Sequence, residues 1–160
     1  MTIKVGDKIP SGTLTRMTKN GPAPVSTDEI FKGKRVAVFA VPGAFTPTCS
    51  AAHLPGFLKK AKAFKAKDVD AIVCLSVNDP FVMGAWAKDQ KVGDKIMMLA
   101  DGSGDYTREL GLELDLRKAG LGMRSRRYSM LVEDRVVKRL NLDEGGALEK
   151  SKAEVLLEQI

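Results

Sequence analysis

Continuous apolar stretches alternate along the chain with stretches of helical periodicity. Arg35–Val41 and Val69–Val77 are almost wholly apolar and of strand length, which predicts two strands buried on both faces of a sheet. Lys95–Ala100 is a third, shorter run of this kind. Between the first two runs, apolar residues recur at helical spacing, at Leu54, Phe57, Leu58, Ala61 and Phe64. Because a helix between two buried strands serves as a right-handed crossover, we expect these two strands to be parallel.

Capping residues and prolines mark the ends of the predicted helices. Thr46-Pro47 predicts the start of the long helix, because proline is tolerated in a first helical turn. Pro55 lies inside the helical pattern and is expected to kink it. Asn78 or Asp79 is expected to cap the following helix.

The C-terminal part of the chain predicts a hairpin and a last helix. Arg127–Glu133 and Val136–Leu142 are the two strands of the hairpin, and Ser151 with Glu154 has the spacing of a capping box. After an N-terminal segment of short strands and turns, the order is therefore strand–helix–strand–helix–strand, hairpin and helix. This is the thioredoxin-like arrangement. We expect an α/β protein of thioredoxin-like fold, with a central mixed β-sheet flanked by helices, formed as a single domain over residues 1–160.

The composition is that of an ordinary globular protein, with 44% apolar and 29% charged residues. The net charge of +6 would suit a nucleic-acid partner. The lysines of Lys59–Lys67, however, fall on the outer face of one amphipathic helix without interleaved aromatic residues, and no DNA- or RNA-binding motif is visible. The sequence favours a solvated basic surface, and no nucleic-acid partner is expected.

No targeting or membrane-spanning segment is visible in the sequence. The first thirty residues carry charged side chains and no continuous apolar run. The longest apolar stretch, Val36–Phe45, is too short to span a bilayer and is broken by Pro42 and Gly43. We therefore expect no membrane association and a cytoplasmic location, although a mature form without its transit peptide would look the same.

The candidate reactive groups are the two cysteines, Cys49 and Cys74. There is no CxxC motif, and the single histidine cannot complete a zinc site with them, so neither a metal nor another cofactor is expected. Cys49 falls within the first turns of the long helix, where free backbone N–H groups and the helix dipole favour an anion such as a thiolate. A thiolate that attacks a peroxide needs fixed donors for the oxyanion that leaves. The hydroxyl of Thr46, three residues earlier, and a guanidinium would supply such donors.

The residues around Cys49 resemble a known signature. Pro42–Ser50, followed by His53–Phe57, is similar to the P-x-x-x-T-x-x-C signature of the peroxiredoxins, and more narrowly to the peroxiredoxin-5 or type II subfamily. Further matches in the right order are Leu75–Met83 with Trp86, Leu99–Ser103 and Arg124–Met130. The resemblance covers nearly the whole chain. It implies an antioxidant thiol peroxidase that reduces hydrogen peroxide and organic hydroperoxides through a sulfenic acid intermediate.

The resemblance also implies a role for each residue of the signature. Cys49 is the peroxidatic cysteine, Thr46 bonds the thiolate and the peroxide, and Pro42 shields the pocket from water. Gly43 and Thr48 are expected to bind the substrate together with Cys49.

The family arginine corresponds to Arg127, because it directly precedes the aromatic residue that opens its strand, here Tyr128. This arginine is expected to stabilise the thiolate and to hold the peroxide. Arg124 and Arg126 are nearby alternatives. Since side chains alternate along a strand, Arg126 and Arg127 should face opposite ways.

Two residues keep more than one interpretation. His53, on the same helix face as Cys49, either orients the arginine, acts as a general base, or is an ordinary structural histidine. Cys74, in the middle of a buried strand, is a packing residue or a resolving cysteine that forms a disulfide with Cys49. The C-terminal resolving cysteine of animal peroxiredoxin-5 is absent, because residues 141–160 contain no cysteine. This departure favours a one-Cys cycle.

The resemblance implies glutathione, glutaredoxin or thioredoxin as the reductant. In this family, loops like those around Phe45, Phe81 and Leu121 meet across an interface, which implies a homodimer. Two other classes stay open: a non-catalytic binding module, such as a redox-responsive chaperone on the same fold, and a thiol–disulfide oxidoreductase of the thioredoxin class. The latter would need a CxxC motif, where this chain has Thr46.

Overall fold

A computed structural model, which describes residues 2–160, shows a seven-stranded mixed sheet between two layers of helices. The strands of the large sheet are β1 (Thr13–Thr18), β2 (Gly21–Ser26), β3 (Arg35–Val41), β4 (Ala71–Ser76), β5 (Met97–Ala100), β8 (Tyr128–Glu133) and β9 (Val136–Leu142). The strands β6 (Glu113–Leu116) and β7 (Gly122–Ser125) form a separate hairpin. The α-helices are α1 (Thr27–Phe31), α2 (Leu54–Lys59), α3 (Ala61–Ala66), α4 (Pro80–Asp89), α5 (Asp105–Leu110) and α6 (Ala153–Gln159). A π-helical turn covers Cys49–His53, and a 3₁₀ turn covers Arg117–Ala119.

The strand order in the large sheet is β2-β1-β5-β4-β3-β8-β9. Strands β3, β4 and β5 are parallel neighbours, which confirms the predicted crossover between the first two apolar runs. Strands β8 and β9 form the predicted hairpin, and β8 lies antiparallel to β3. The α/β class and the thioredoxin-like fold are thereby confirmed. The small β6–β7 hairpin was not predicted from the sequence.

Strand β3 is buried on both faces because each face meets a separate apolar core. Ala37, Phe39 and Val41 face the core under α2, α3, α4 and α6. The residues between them, such as Val38, face the core under α1 and α5. The alternation of side chains along a strand thus explains why the run is continuously apolar instead of alternating.

Two predicted helix features are wrong. The long helix is interrupted at Lys60 and not at Pro55, which stands in the first turn of α2. The π-helical turn that precedes α2 bonds the Leu54 N–H to the Cys49 carbonyl, so the missing N–H of Pro55 falls in a first turn, where no partner is required. Ser151 does not cap the last helix, because its hydroxyl donates to Asp143 instead.

Two kinds of feature are absent from the part of the chain that the structure describes. Among residues 2–160, no helix has both the length and the apolar character needed to cross a membrane. Over the same residues, no three or more His, Cys, Asp or Glu side chains are grouped so that they could hold a metal ion.

Candidate active site

The loop that carries Cys49 leaves the carboxyl end of β3 and is fixed by the neighbouring parallel strand. Asn78, just beyond β4, accepts a hydrogen bond from the backbone N–H of Ala44 at 2.9 Å and one from the Ser76 hydroxyl at 2.5 Å. The carboxyl ends of adjacent parallel strands lie at one edge of the sheet, where α/β proteins place their ligands. Asn78 therefore holds the two loops at this edge together.

The π-helical turn is also anchored from α4. The indole Nε1–H of Trp86 donates to the Ser50 hydroxyl at 3.0 Å, and Trp86 itself is fully buried. Cys49 is the first residue of the turn and has no exposed surface. The sulfur is thus enclosed. The loop before the turn is tied to Asn78 beyond β4, and the start of the turn is tied to α4.

Arg127 contacts Cys49 directly. It precedes β8, the antiparallel neighbour of β3, and its Nη2 donates to the Cys49 Sγ at 3.3 Å. The side chain is buried, and across residues 2–160 no carboxylate forms an ion pair with it. A buried cation without an anionic partner favours an anion in its surroundings, and the sulfur is the group placed to become one.

The two alternative arginines lie elsewhere. Arg126 forms an ion pair with the exposed Glu144 at 3.0 Å, and its guanidinium bonds only Glu144 and the Asp143 carbonyl among the described residues. Arg124 covers the loop after β3, because its Nη1 donates to the Pro42 carbonyl at 3.3 Å. A Cβ at Gly43 would come within 2.8 Å of that nitrogen, so the close approach of Arg124 requires glycine there.

His53 contacts Arg127 and not the sulfur. Its Nδ1 lies 3.0 Å from Arg127 Nη1, and its Nε2 lies 3.0 Å from the carbonyl oxygen of Ser151. Because a guanidinium only donates and a carbonyl only accepts, Nδ1 is the acceptor and Nε2 carries the proton. Burial, and then the charge of Arg127, lower the pKa of His53 from 6.5 to about 3, so the ring is neutral.

The expected hydrogen bond between Thr46 and the sulfur is not formed in the structure. The Thr46 hydroxyl donates to the Gly43 carbonyl at 2.6 Å, which uses its single proton and leaves its lone pairs free to accept. Pro42 is buried beside this loop, and Thr48 is half-buried without a side-chain capping bond.

Cys74 shares the apolar core of Cys49, and both thiols are free. It lies in the middle of β4, where it pairs with Phe39 of β3 on one side and Met98 of β5 on the other. Burial, and then the neighbouring Cys49, raise the pKa of the Cys74 thiol well above its ordinary value. A fully buried thiol that resists ionisation is a poor nucleophile.

Comparison with known proteins places the chain in a family. The Redoxin family model matches residues 4–157. Peroxiredoxin-2E, chloroplastic, of Arabidopsis thaliana is 50% identical over 99% of this chain and 70% of its own length. The chain belongs to the peroxiredoxin family. Reduced Prx3 from Vibrio vulnificus in complex with H2O2 superposes with a TM-score of 0.94 at 47% identity, with 99% of each chain covered. As a peroxiredoxin, the chain is a thiol peroxidase, an oxidoreductase that acts on peroxide with thiols as reductants.

The comparisons contradict the expected cytoplasmic location. Besides the Arabidopsis relative, Peroxiredoxin-2E-2, chloroplastic, of Oryza sativa subsp. japonica is 51% identical over 99% of this chain and 73% of its own length. Both relatives are chloroplastic, so the expectation was wrong.

Several contacts of the peroxiredoxin site could not be found from the sequence. Asp143 carries no motif, Asn78 and Ser151 were interpreted as helix caps, and Trp86 belonged only to the family match. What places them at the site is the pairing of distant segments.

We expect the stability of this peroxiredoxin to fall as the pH falls below about 6.5, because of His53. Between its folded pKa of about 3 and its ordinary 6.5, the unfolded chain binds one proton that the folded chain does not. His53 therefore lowers the free energy of unfolding by about 1 kcal/mol per pH unit as the pH decreases through this window. Urea unfolding of the wild type and His53→Gln between about pH 7 and about pH 5 measures this, with the steeper slope expected for the wild type. Equal slopes would contradict the assignment.

Proposed function

We propose that Cys49 is the peroxidatic nucleophile and that Arg127 activates both it and the peroxide. The observation that supports this best is the 3.3 Å contact between the Arg127 guanidinium and the Cys49 sulfur, with no carboxylate of residues 2–160 to neutralise the arginine. The guanidinium is planar and presents its N–H donors in a fixed fork, so it can bond a thiolate and a peroxide oxygen together.

In the first step, the thiolate sulfur of Cys49 attacks one peroxide oxygen and the O–O bond breaks. The sulfur loses two electrons and becomes a sulfenic acid, while the other oxygen leaves as an oxyanion that takes up a proton to give water or an alcohol. The buried Nε–H of Arg127 has no partner within the described residues and is available to a peroxide oxygen. The free lone pairs of Thr46 can accept a hydrogen bond from the peroxide O–H. Hydrogen peroxide and organic hydroperoxides are both substrates in this scheme.

The remaining signature residues form the pocket around this step. Pro42 shields the sulfur from water, and Gly43 and Thr48 bind the substrate together with Cys49. Gly43 contributes through its backbone, since Arg124 occupies the space that a side chain would need.

We propose a one-Cys cycle for the second half of the reaction. A thiolate of glutathione or glutaredoxin, or alternatively of thioredoxin, attacks the sulfenic sulfur, forms a mixed disulfide and releases water. A second thiol then attacks the mixed disulfide and restores Cys49. Cys74 is unsuited to this task, because it is locked between two strands and residues 141–160 offer no other cysteine. Since Cys49 is fully buried, the reductant reaches it only after the π-helical turn opens.

A homodimer is proposed from the exposed apolar residues around the pocket. Phe45 and Phe81 are 53% and 66% exposed, and the bond from Ala44 to Asn78 holds their loops together. Leu121 lies on a third loop, which Arg124 ties to Pro42. Phe45 also has a left-handed φ of 64°, and such strain in a non-glycine residue is typical of functional positions. These three residues form a surface suited to a second copy of this chain.

Replacing Arg127 by lysine should slow peroxide reduction strongly. Lysine keeps the charge but cannot donate to the sulfur, to His53 and to the peroxide at once. We expect the second-order rate constant for oxidation of Cys49 by hydrogen peroxide to fall about a hundredfold. Stopped-flow fluorescence of Trp86, the single tryptophan, reports this step. Arg126→Lys is the matched control, and an equal loss in both variants would contradict the role of Arg127.

The two cysteines should behave oppositely when each is replaced by serine. Cys49→Ser should lose peroxidase activity completely, because the nucleophile is gone. Cys74→Ser should keep the steady-state rate with glutathione and glutaredoxin within about twofold. Mass spectrometry of the wild type after equimolar peroxide should show oxidation at Cys49 alone. A Cys49–Cys74 disulfide would disprove the one-Cys cycle, and activity in Cys49→Ser would disprove the proposed function.

Charge placed on the proposed interface should separate the dimer. Sedimentation velocity is expected to show a dimer for the wild type and a monomer for Phe81→Asp, because an aspartate would lose its hydration on association. Val5→Asp is the control, since Val5 is 54% exposed but lies outside these loops. A wild-type monomer, or a Phe81→Asp dimer of unchanged affinity, would refute the interface.

A further inference from the structure

Hydrogen bonds connect Arg127 to Asp143 by two independent routes, which together form a closed ring. Along the backbone, the N–H of Asp143 donates to the Arg127 carbonyl at 3.0 Å. Through side chains, Arg127 Nη1 donates to His53, and His53 Nε2–H donates to the Ser151 carbonyl, both at 3.0 Å. Ser151 then donates both its N–H and its hydroxyl to the Asp143 carboxylate, at 3.0 and 2.6 Å.

The carboxylate of Asp143 is saturated with donors. Besides the two groups of Ser151, the backbone N–H groups of Glu149 and Lys150 donate to it at 3.1 and 2.8 Å. Burial alone would raise the pKa of Asp143, but these four hydrogen bonds outweigh it and hold the pKa below its ordinary value. An ionised carboxylate can accept all four bonds, whereas an amide in its place has one acceptor oxygen and an NH₂ group that would face donors.

The orientation of His53 depends on this carboxylate. The His53 ring is buried between the Ser151 carbonyl and Arg127, and it packs beside Phe39 and Phe57 with ring centroids 5.0 and 5.7 Å away. The Ser151 carbonyl keeps the proton on Nε2 and thus leaves the Nδ1 lone pair for Arg127. Asp143 fixes that carbonyl, because it binds the N–H and the hydroxyl of the same residue.

We infer that Asp143 is a positioning residue for peroxide reduction, acting on Arg127 through Ser151 and His53. The inference rests on the proposed role of Arg127 and adds a group that never touches the peroxide or the sulfur. The backbone N–H of Asp143 binds the Arg127 carbonyl directly, and its carboxylate supports the Arg127 guanidinium through Ser151 and His53. Asp143 thereby sets where Nη2 points relative to Cys49. Its loss is expected to misdirect the guanidinium while the apolar cores stay intact.

Asp143→Asn tests the inference, because it preserves the size of the side chain, removes the negative charge and replaces one acceptor oxygen by an NH₂ group that would face a donor. We expect the second-order rate constant for Cys49 oxidation by hydrogen peroxide to fall about ten- to a hundredfold, as is usual when a reacting group is displaced by a fraction of an ångström to an ångström. Asp134→Asn is the matched control. Asp134 accepts the Gly33 N–H at 2.7 Å and makes no bond to any member of the ring, so this variant should keep a rate within about threefold of the wild type.

A double-mutant cycle distinguishes positioning from a purely structural role. In an Arg127→Lys background, Asp143→Asn should change the rate less than about twofold, since the group that it positions is already gone. The same ten- to hundredfold loss in both backgrounds would overturn the inference. If Asp143→Asn does not fold, Asp143→Glu, which displaces the carboxylate by one methylene, is taken through the same cycle. If the Arg127→Lys single variant keeps the wild-type rate, the proposed role of Arg127 is refuted. This outcome differs from the one that overturns the positioning role of Asp143, so the two can be distinguished.

The single histidine provides a readout that does not depend on activity. Long-range ¹H–¹⁵N spectra of protein labelled at histidine report only His53, since the chain contains no other. The wild type should show the neutral Nε2–H tautomer alone, and Asp143→Asn should show a second tautomer or altered Nδ1 shifts. A wild-type Nδ1–H tautomer, or an Asp143→Asn spectrum identical to that of the wild type, would overturn the inference.

Discussion

The site depends on one electrostatic constraint, which is the burial of the Arg127 guanidinium without a carboxylate partner among residues 2–160. A charge removed from water is costly unless something nearby compensates for it. The two groups that it contacts are a neutral imidazole and a thiol, and only the thiol can become an anion. Burial is the main cause of the lowered pKa of His53, and the guanidinium lowers it further, because a second cation beside Arg127 would be repelled.

The thioredoxin-like fold supplies this arrangement through strand pairing. Strand β3 ends at the Cys49 loop, and β8, which starts just after Arg127, pairs antiparallel with β3, with Tyr128 opposite Ala40. The beginning of β8 therefore lies at the end of β3, and residues 78 positions apart in the chain come into contact. The polar contacts that surround the sulfur lie on different segments, since Asn78 follows β4 and Trp86 belongs to α4.

The sequence predicted those parts of the molecule that depend on local pattern. The apolar runs gave β3 and β4 and their parallel pairing, because burial on both faces leaves a continuous signal. The arginine nearest the sulfur was anticipated from the family resemblance, in which the arginine directly precedes the aromatic residue that opens the strand. The hydrogen-bond partner of Ser151 was not anticipated, because a serine before a helix has the same local signature whether it caps that helix or donates to a distant Asp143. The π-helical turn was not anticipated either, because the sequence has no recognisable signal for it.

The division of the site between two structural units explains how reduction can follow oxidation. Cys49 and His53 both lie on the π-helical turn, whereas Arg127 lies at the edge of the sheet. Opening the turn to expose the sulfenic acid removes the sulfur and the imidazole from the guanidinium in one movement. The donors that favour attack on a peroxide are then no longer assembled, so an opened enzyme is suited to reaction with a thiol and not with a second peroxide. Two hydrogen bonds tie the turn to its surroundings, one from Trp86 to Ser50 and one from His53 to the Ser151 carbonyl, and both must break if the turn opens as the proposed cycle requires.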